Sequence, residues 1–256
     1  MQIEIGNEVE DVSAVAIVLI AFTLILLSTG LGLLLRYRLP ERHLSGDSKE
    51  VIKLATALVG TMSALVIALL FASTRASYEA TGSQISQLTA NVIELDRILK
   101  GIGEEGAALR QVLREDVKTL ADSIWQSEAG NSTRAVAEEI GIVGKLRQLV
   151  IQNPQGMWQA RALAVSNTLA QIQLSIQSQP SDSMSKPFVF LLVLWLCFIF
   201  ATFAMSSAPN ATLLCVLFFC ALSAASAIYL ILELGQPFDG LMQVPSAPLR
   251  NALAPL

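Results

Sequence analysis

The chain has 256 residues, 53% of them hydrophobic, with 17 Lys and Arg against 21 Asp and Glu. Its positive mean hydropathy is too high for an ordinary soluble domain, and its charged interruptions are too many for a single fibrous element. A polytopic membrane protein is expected. The net charge of −4 and the lack of a long basic run argue against nucleic acid as a partner.

Residues 1–11 form an acidic lead, with Glu4, Glu8, Glu10 and Asp11 and no Lys or Arg. Residues 12–35 follow without a charge, long enough to span hydrocarbon with some tilt. No basic stretch precedes this run, and it exceeds the core of a signal peptide, so it is expected to remain as a first membrane helix. Ala14, Ala21, Ser28 and Gly32 share one of its faces, where small side chains let a neighbouring helix approach. Residues 36–50 make a short basic connection that contains His43, the only histidine.

Residues 51–72 form a second span that continues, without a breaker, into a water-soluble helix. Tyr78, Thr81, Ile85, Leu88, Val92, Leu95, Leu99 and Ile102 alternate at spacings of three and four, the seam of a helix packed on another helix. Projected backwards, the same alternation gives Thr74, Phe71, Ile67, Ala64 and Gly60. A helix of this span is about 75 Å long and would join the membrane part mechanically to the soluble part.

Residues 73–186 read as a soluble helical insert with 11 Lys and Arg against 12 Asp and Glu. A turn at Gly101 to Gly106 leads to a helix with Leu109, Leu113, Val117, Leu120 and Ile124 on one face. A further helix carries Val136, Ile140, Val143 and Val150. After Asn153 and Pro154, a good helix start, the last carries Trp158, Ala162, Val165, Leu169, Ile172 and Ile176. Four such helices joined by short turns should close into an antiparallel bundle. Residues 187–205 form a third span, 206–210 a turn, and 211–232 a fourth span with a small-residue patch from Ala221 to Ala227. Residues 233–256 form an interfacial tail, placed either along the membrane surface or back on the bundle. The fold class expected is therefore all-α, with four transmembrane helices and a bundle inserted between the second and third.

Most basic residues near a membrane boundary lie in the first connection, which places that connection in the cytoplasm and the insert in the periplasm of a bacterial inner membrane. Cys197, Cys215 and Cys220 sit in apolar runs and read as small hydrophobes. With one histidine there is no metal cluster, no cofactor site and no constellation for an enzyme. Gly101, Gly103 and Gly106 match a dinucleotide loop in spacing alone, since no strand precedes them and Glu104 and Glu105 repel phosphate.

Two places stand out. Lys53, Thr56, Gly60, Ser63, Ile67, Leu70 and Phe71 make a polar-to-apolar stripe on the second span, readable either as a pore lining that ends in a dewetting constriction or as a packing face. Glu233 closes the fourth span before a turn with Pro237, Phe238, Asp239 and Gly240. It reads as an intramembrane acid of functional weight or as an interfacial carboxylate.

The segments LLRYRLPERHLSGDSKEVIKLATALVGTMSALVIALL (34–70), LTANVIELDRIL (88–99), CALSAASAIYLILELGQPFDGL (220–241) and SAPLRNAL (246–253) resemble the bestrophin-like domain family of bacterial membrane proteins. The resemblance covers nearly the whole chain and implies four spans with a helical insert. Related sequences often carry a basic residue before the Asn-Ala-Thr of the last turn, where this chain has Pro209. Comparison with bestrophins implies a homo-oligomeric channel for small anions lined by the second span, with the insert on the cytoplasmic side, opposite to the charge argument. The alternative class is a non-conducting sensor or interaction protein whose bundle binds a ligand or an unknown protein partner.

Overall fold

The computed structural model describes residues 14–38, 47–125, 144–145, 148, 157–178, 186–207, 209–238 and 240–253. Among these, every regular element is helical: α1 (Ala14–Arg38), α2 (Asp47–Lys100), α3 (Glu104–Trp125), α4 (Met157–Ser178), α5 (Lys186–Ser206), α6 (Ala211–Leu234) and α7 (Ala247–Leu253). The expected helix through Val136, Ile140, Val143 and Val150, the Asn153 cap, His43 and the acidic lead lie outside the described residues. α1, α2, α5 and α6 each hold an apolar stretch long enough to cross a bilayer. The chain divides into two compact units, Met1–Ala76 with Met184–Gly235 and Ser77–Ser183 with Gln236–Leu256.

The first unit contains the four apolar stretches. Its core joins Ala21 and Ile25 of α1 to Leu192, Leu196 and Phe200 of α5 and Leu217, Ala221 and Ile228 of α6. Small residues set the closest approach. A Cβ at Gly32 would strike the carbonyl of Ala201, so α1 and α5 meet there backbone to backbone. One turn on, Arg36 Nη1 donates to the Met205 carbonyl at 3.0 Å, placing a cation on the unpaired carbonyls at the end of α5. The two contacts advance together along both helices, so α1 and α5 run parallel, and the basic end of α1 shares a face with the Ser207–Asn210 turn. At that turn the Asn210 carbonyl accepts from Leu214 N–H at 3.1 Å and starts α6.

The second unit is built on the α2 seam. Thr81, Ile85, Leu88, Val92, Leu95 and Leu99 are buried, and Tyr78 and Ile102 are half-buried. They pack with Leu109, Leu113, Val117 and Leu120 of α3 and Ala162, Val165, Leu169 and Ile172 of α4. The turn works because Gly103 takes φ +84° and Gly106 has no Cβ to strike the Leu99 carbonyl. Polar contacts fix direction. Arg110 Nε donates to Asp96 at 2.5 Å, Arg161 Nε to Glu94 at 2.8 Å, and Gln84 Nε2 to Ser175 at 3.0 Å. Residue numbers fall on α2 as they rise on α4, so these two helices are antiparallel. The tail packs on α3, with Val244 and Leu249 in the core. Trp125 Nε1 donates to the Val244 carbonyl at 3.0 Å and the Trp125 ring meets Phe238 edge-on at 5.9 Å.

Candidate functional site

The membrane part of α2 is the span with least cover. Of its apolar stretch 11% is buried, against 22, 33 and 28% for α1, α5 and α6. The seven stripe residues divide between its two sides. Thr56 and Ser63 are buried. Ile67 and Leu70 pack on the apolar core of the first unit. Lys53 and Phe71 are exposed, and Gly60 is half-buried with open space where a Cβ would stand.

The buried hydroxyls are satisfied inside the protomer. Thr56 Oγ1 lies 2.8 Å from the Ile52 carbonyl and 3.1 Å from Thr202 Oγ1, which is itself 2.8 Å from the Ile199 carbonyl. One proton therefore goes to a carbonyl of its own helix and the other bridges α2 to α5. Ser63 Oγ donates to the Val59 carbonyl at 2.8 Å. Thr202 was not singled out in the sequence. A lone Thr in an apolar span gives no signal until its partner helix is known.

The buried side of α2 reads Thr74, Leu70, Ile67, Ser63, Gly60 and Thr56. The backward projection places Phe71 and Ala64 on the seam, whereas both are exposed. Thr74, Ile67 and Gly60 stay on the buried side, and two successive steps of four, from Tyr78 to Thr74 to Leu70, shift the phase of the alternation, which brings the 3.5-residue period of the seam back towards the roughly 3.6 of a straight helix.

A flank about 100° round the helix from that side, the angle between successive residues, holds something the sequence reading passed over. Ala57, Thr61, Ala64, Ala68, Ala72, Ala76, Glu79, Ser83, Ser86, Ala90, Ile93 and Arg97 are all exposed and recur every three or four residues. Forty residues in eleven steps is the roughly 3.6-residue period of a helix, and in the membrane part, from Ala57 to Ala76, every member of the line is small. It went unseen because the apolar seam is the louder pattern.

The second candidate place also divides. Glu233 is 3% exposed at the end of α6, with the Tyr229 hydroxyl, one turn back, hydrogen-bonded to it. The Arg36 guanidinium is at the end of α1 that lies beside the C-terminus of α5. Pro237, Phe238 and Gly240 belong to the second unit, and Asp239 lies outside the described residues. Among the described residues no group of His, Cys, Asp or Glu is arranged to hold a metal ion.

Four long apolar helices, with an exposed apolar surface on each, define a multi-pass membrane protein. The model of the bestrophin-like domain family matches residues 22–249, and the chain belongs to that family. No curated protein and no solved structure matches the chain.

Proposed function

We propose that this chain forms a homo-oligomer in the bacterial inner membrane and conducts ions, anions in preference, with α2 nearest the oligomer axis. The observation that carries this reading is the exposed small-residue line on α2, on the least covered of the four spans. Copies inserted the same way in one bilayer present parallel α2 helices, and small side chains let such helices pack closely. The exposed edge beside that line then borders the path. Lys53 supplies positive charge at one end, and Phe71 supplies an apolar constriction of the dewetting kind at the other. The basic connection after α1 sits in the cytoplasm, which puts the second unit in the periplasm.

The deciding measurement is chloride and potassium flux into liposomes holding the purified protein, with oligomer size recorded on the same sample. Selective chloride flux from a defined oligomer is expected. An intact oligomer that passes neither ion, both as purified and with Phe71→Ala, overturns the conducting reading.

A second reading, a non-conducting sensor or interaction protein, is favoured by the inward turn of Thr56 and Ser63, whose hydroxyls serve helix packing. It requires a partner protein, to be sought by crosslinking in native membranes.

A further inference from the structure

The membrane part of α2 carries charge only at its ends. Residues 54–74 have none. Lys53 is the innermost charge at one end and Arg75 at the other, with the acids Glu50 and Glu79 standing outside them, so a cation bounds the apolar stretch on both sides. Lys53, Phe71 and Arg75 are all exposed and all belong to the first unit. Their spacing aligns them along the helix. Eighteen residues separate Lys53 from Phe71, which is about five turns, so the two share one edge. Arg75 comes four residues after Phe71, one turn further on and about 40° round towards the small-residue line.

Distance decides which of the two cations matters at the constriction. Along the helix axis Arg75 is about 6 Å from Phe71, and Lys53 is about 27 Å from it. The screening length in physiological salt is about 8 Å, so in an aqueous path an ion at Phe71 feels Arg75 and is screened from Lys53. An apolar constriction is where a passing ion gives up water. A cation one turn away offsets that loss for an anion and deepens it for a cation, and an arginine keeps its charge whatever contact it makes. We infer that Arg75 is the charge-selecting residue of the path, admitting small anions to the Phe71 constriction and turning cations away. This rests on the conducting reading above and names the residue that sets its selectivity. In that reading Arg75 stands on the periplasmic side, where basic flanks are the less common case, so the usual charge bias of membrane helices does not account for it.

The test records current through the full-length protein in patches excised from spheroplasts, where every copy has one orientation, in symmetric potassium chloride at about 0.02 M and about 1 M. At low salt Arg75→Gln is expected to lower chloride current entering from the Arg75 end about threefold. The loss should vanish at high salt, where the screening length is about 3 Å. Lys53→Gln should change that current by less than about 1.5-fold, and Arg75→Lys, which keeps the charge but not the guanidinium fork, should restore it. A parent that passes chloride while Arg75→Gln passes just as much overturns the inference and leaves the conducting reading standing. A parent silent both unaltered and with Phe71→Ala removes the two together. A loss that persists at high salt, or that Arg75→Lys shares, also overturns the inference, because the side chain then holds the helix and does not select ions. If Arg75→Gln fails to assemble, Arg75→Cys decides the matter in a chain whose Cys197, Cys215 and Cys220 are replaced by Ala. A cationic methanethiosulfonate reagent should raise its chloride current and an anionic one lower it, and equal effects overturn the inference.

Discussion

The hydroxyls of Thr56 and Thr202 meet 3.1 Å apart, joining α2 to α5 within the first unit. Because both are buried, the contact serves helix packing in each protomer whatever the oligomer does. Thr56→Val and Thr202→Val keep the shape and remove the bridge. A double-mutant cycle on thermal stability in detergent should give a coupling of about 0.6 kcal/mol, the usual scale for such bonds between membrane helices. Ion flux should be unchanged in either variant, and a shift in selectivity with Thr56→Val would return this residue to the lining of a path.

At Gly32 the backbones of α1 and α5 come into direct contact. Gly32→Ala would drive a methyl group into the Ala201 carbonyl, while Gly30→Ala meets nothing within 4 Å. The first should cost about 1–3 kcal/mol through forced separation of the helices, and the second should be neutral or slightly stabilising. Comparing the two melting temperatures in one detergent checks this, and equal values would mean that the close approach is absent.

These cases show which parts of the fold could be read from the residues. The seam from Thr81 to Leu99 was legible because in water only one face of a helix can be apolar, so Leu88, Val92 and Leu95 mark it unambiguously. Within the spans that contrast disappears. Lipid accepts Leu65 as readily as a protein core accepts Leu70, so only small and hydroxylated residues carry information there, and those serve packing and pores alike. Thr56 and Ser63 were therefore visible as a stripe, but their direction was not. The tail was ambiguous for a different reason. Val244 and Leu249 are too widely spaced to declare a face, and their place became clear only once Trp125 was seen to hold the Val244 carbonyl.

Trp125 is the single residue on which that tail depends most. Trp125→Phe keeps a ring for Phe238 but removes the donor to Val244, at a cost of about 1 kcal/mol. Hydrogen exchange should speed up locally at Val244 and in α7, whose Arg250 reaches Asp122 at 3.8 Å, while amides in the Leu88–Leu99 core keep their protection. Faster exchange throughout the second unit would show that the tail is part of its cooperative core.

Phe71 and Ile67 would be equivalent candidates for a constriction if only the sequence were known, and the structure separates them. Ile67 packs on the core of the first unit, so Ile67→Ala opens a cavity and lowers stability, and any leak it causes is ambiguous. Phe71 is 38% exposed, so Phe71→Ala should leave the unfolding free energy within about 0.5 kcal/mol of the parent's while raising chloride leak in liposomes. The small-residue line supplies the matching control. Ala68→Phe adds bulk where parallel α2 helices are proposed to touch and should reduce the oligomer to protomers, whereas Leu65→Ala, on the exposed flank, should not. Increased leak with Phe71→Ala, combined with loss of both oligomer and flux with Ala68→Phe, would place the path between copies of α2. If Ala68→Phe leaves the oligomer intact, that line faces lipid and the axis must be sought on another helix.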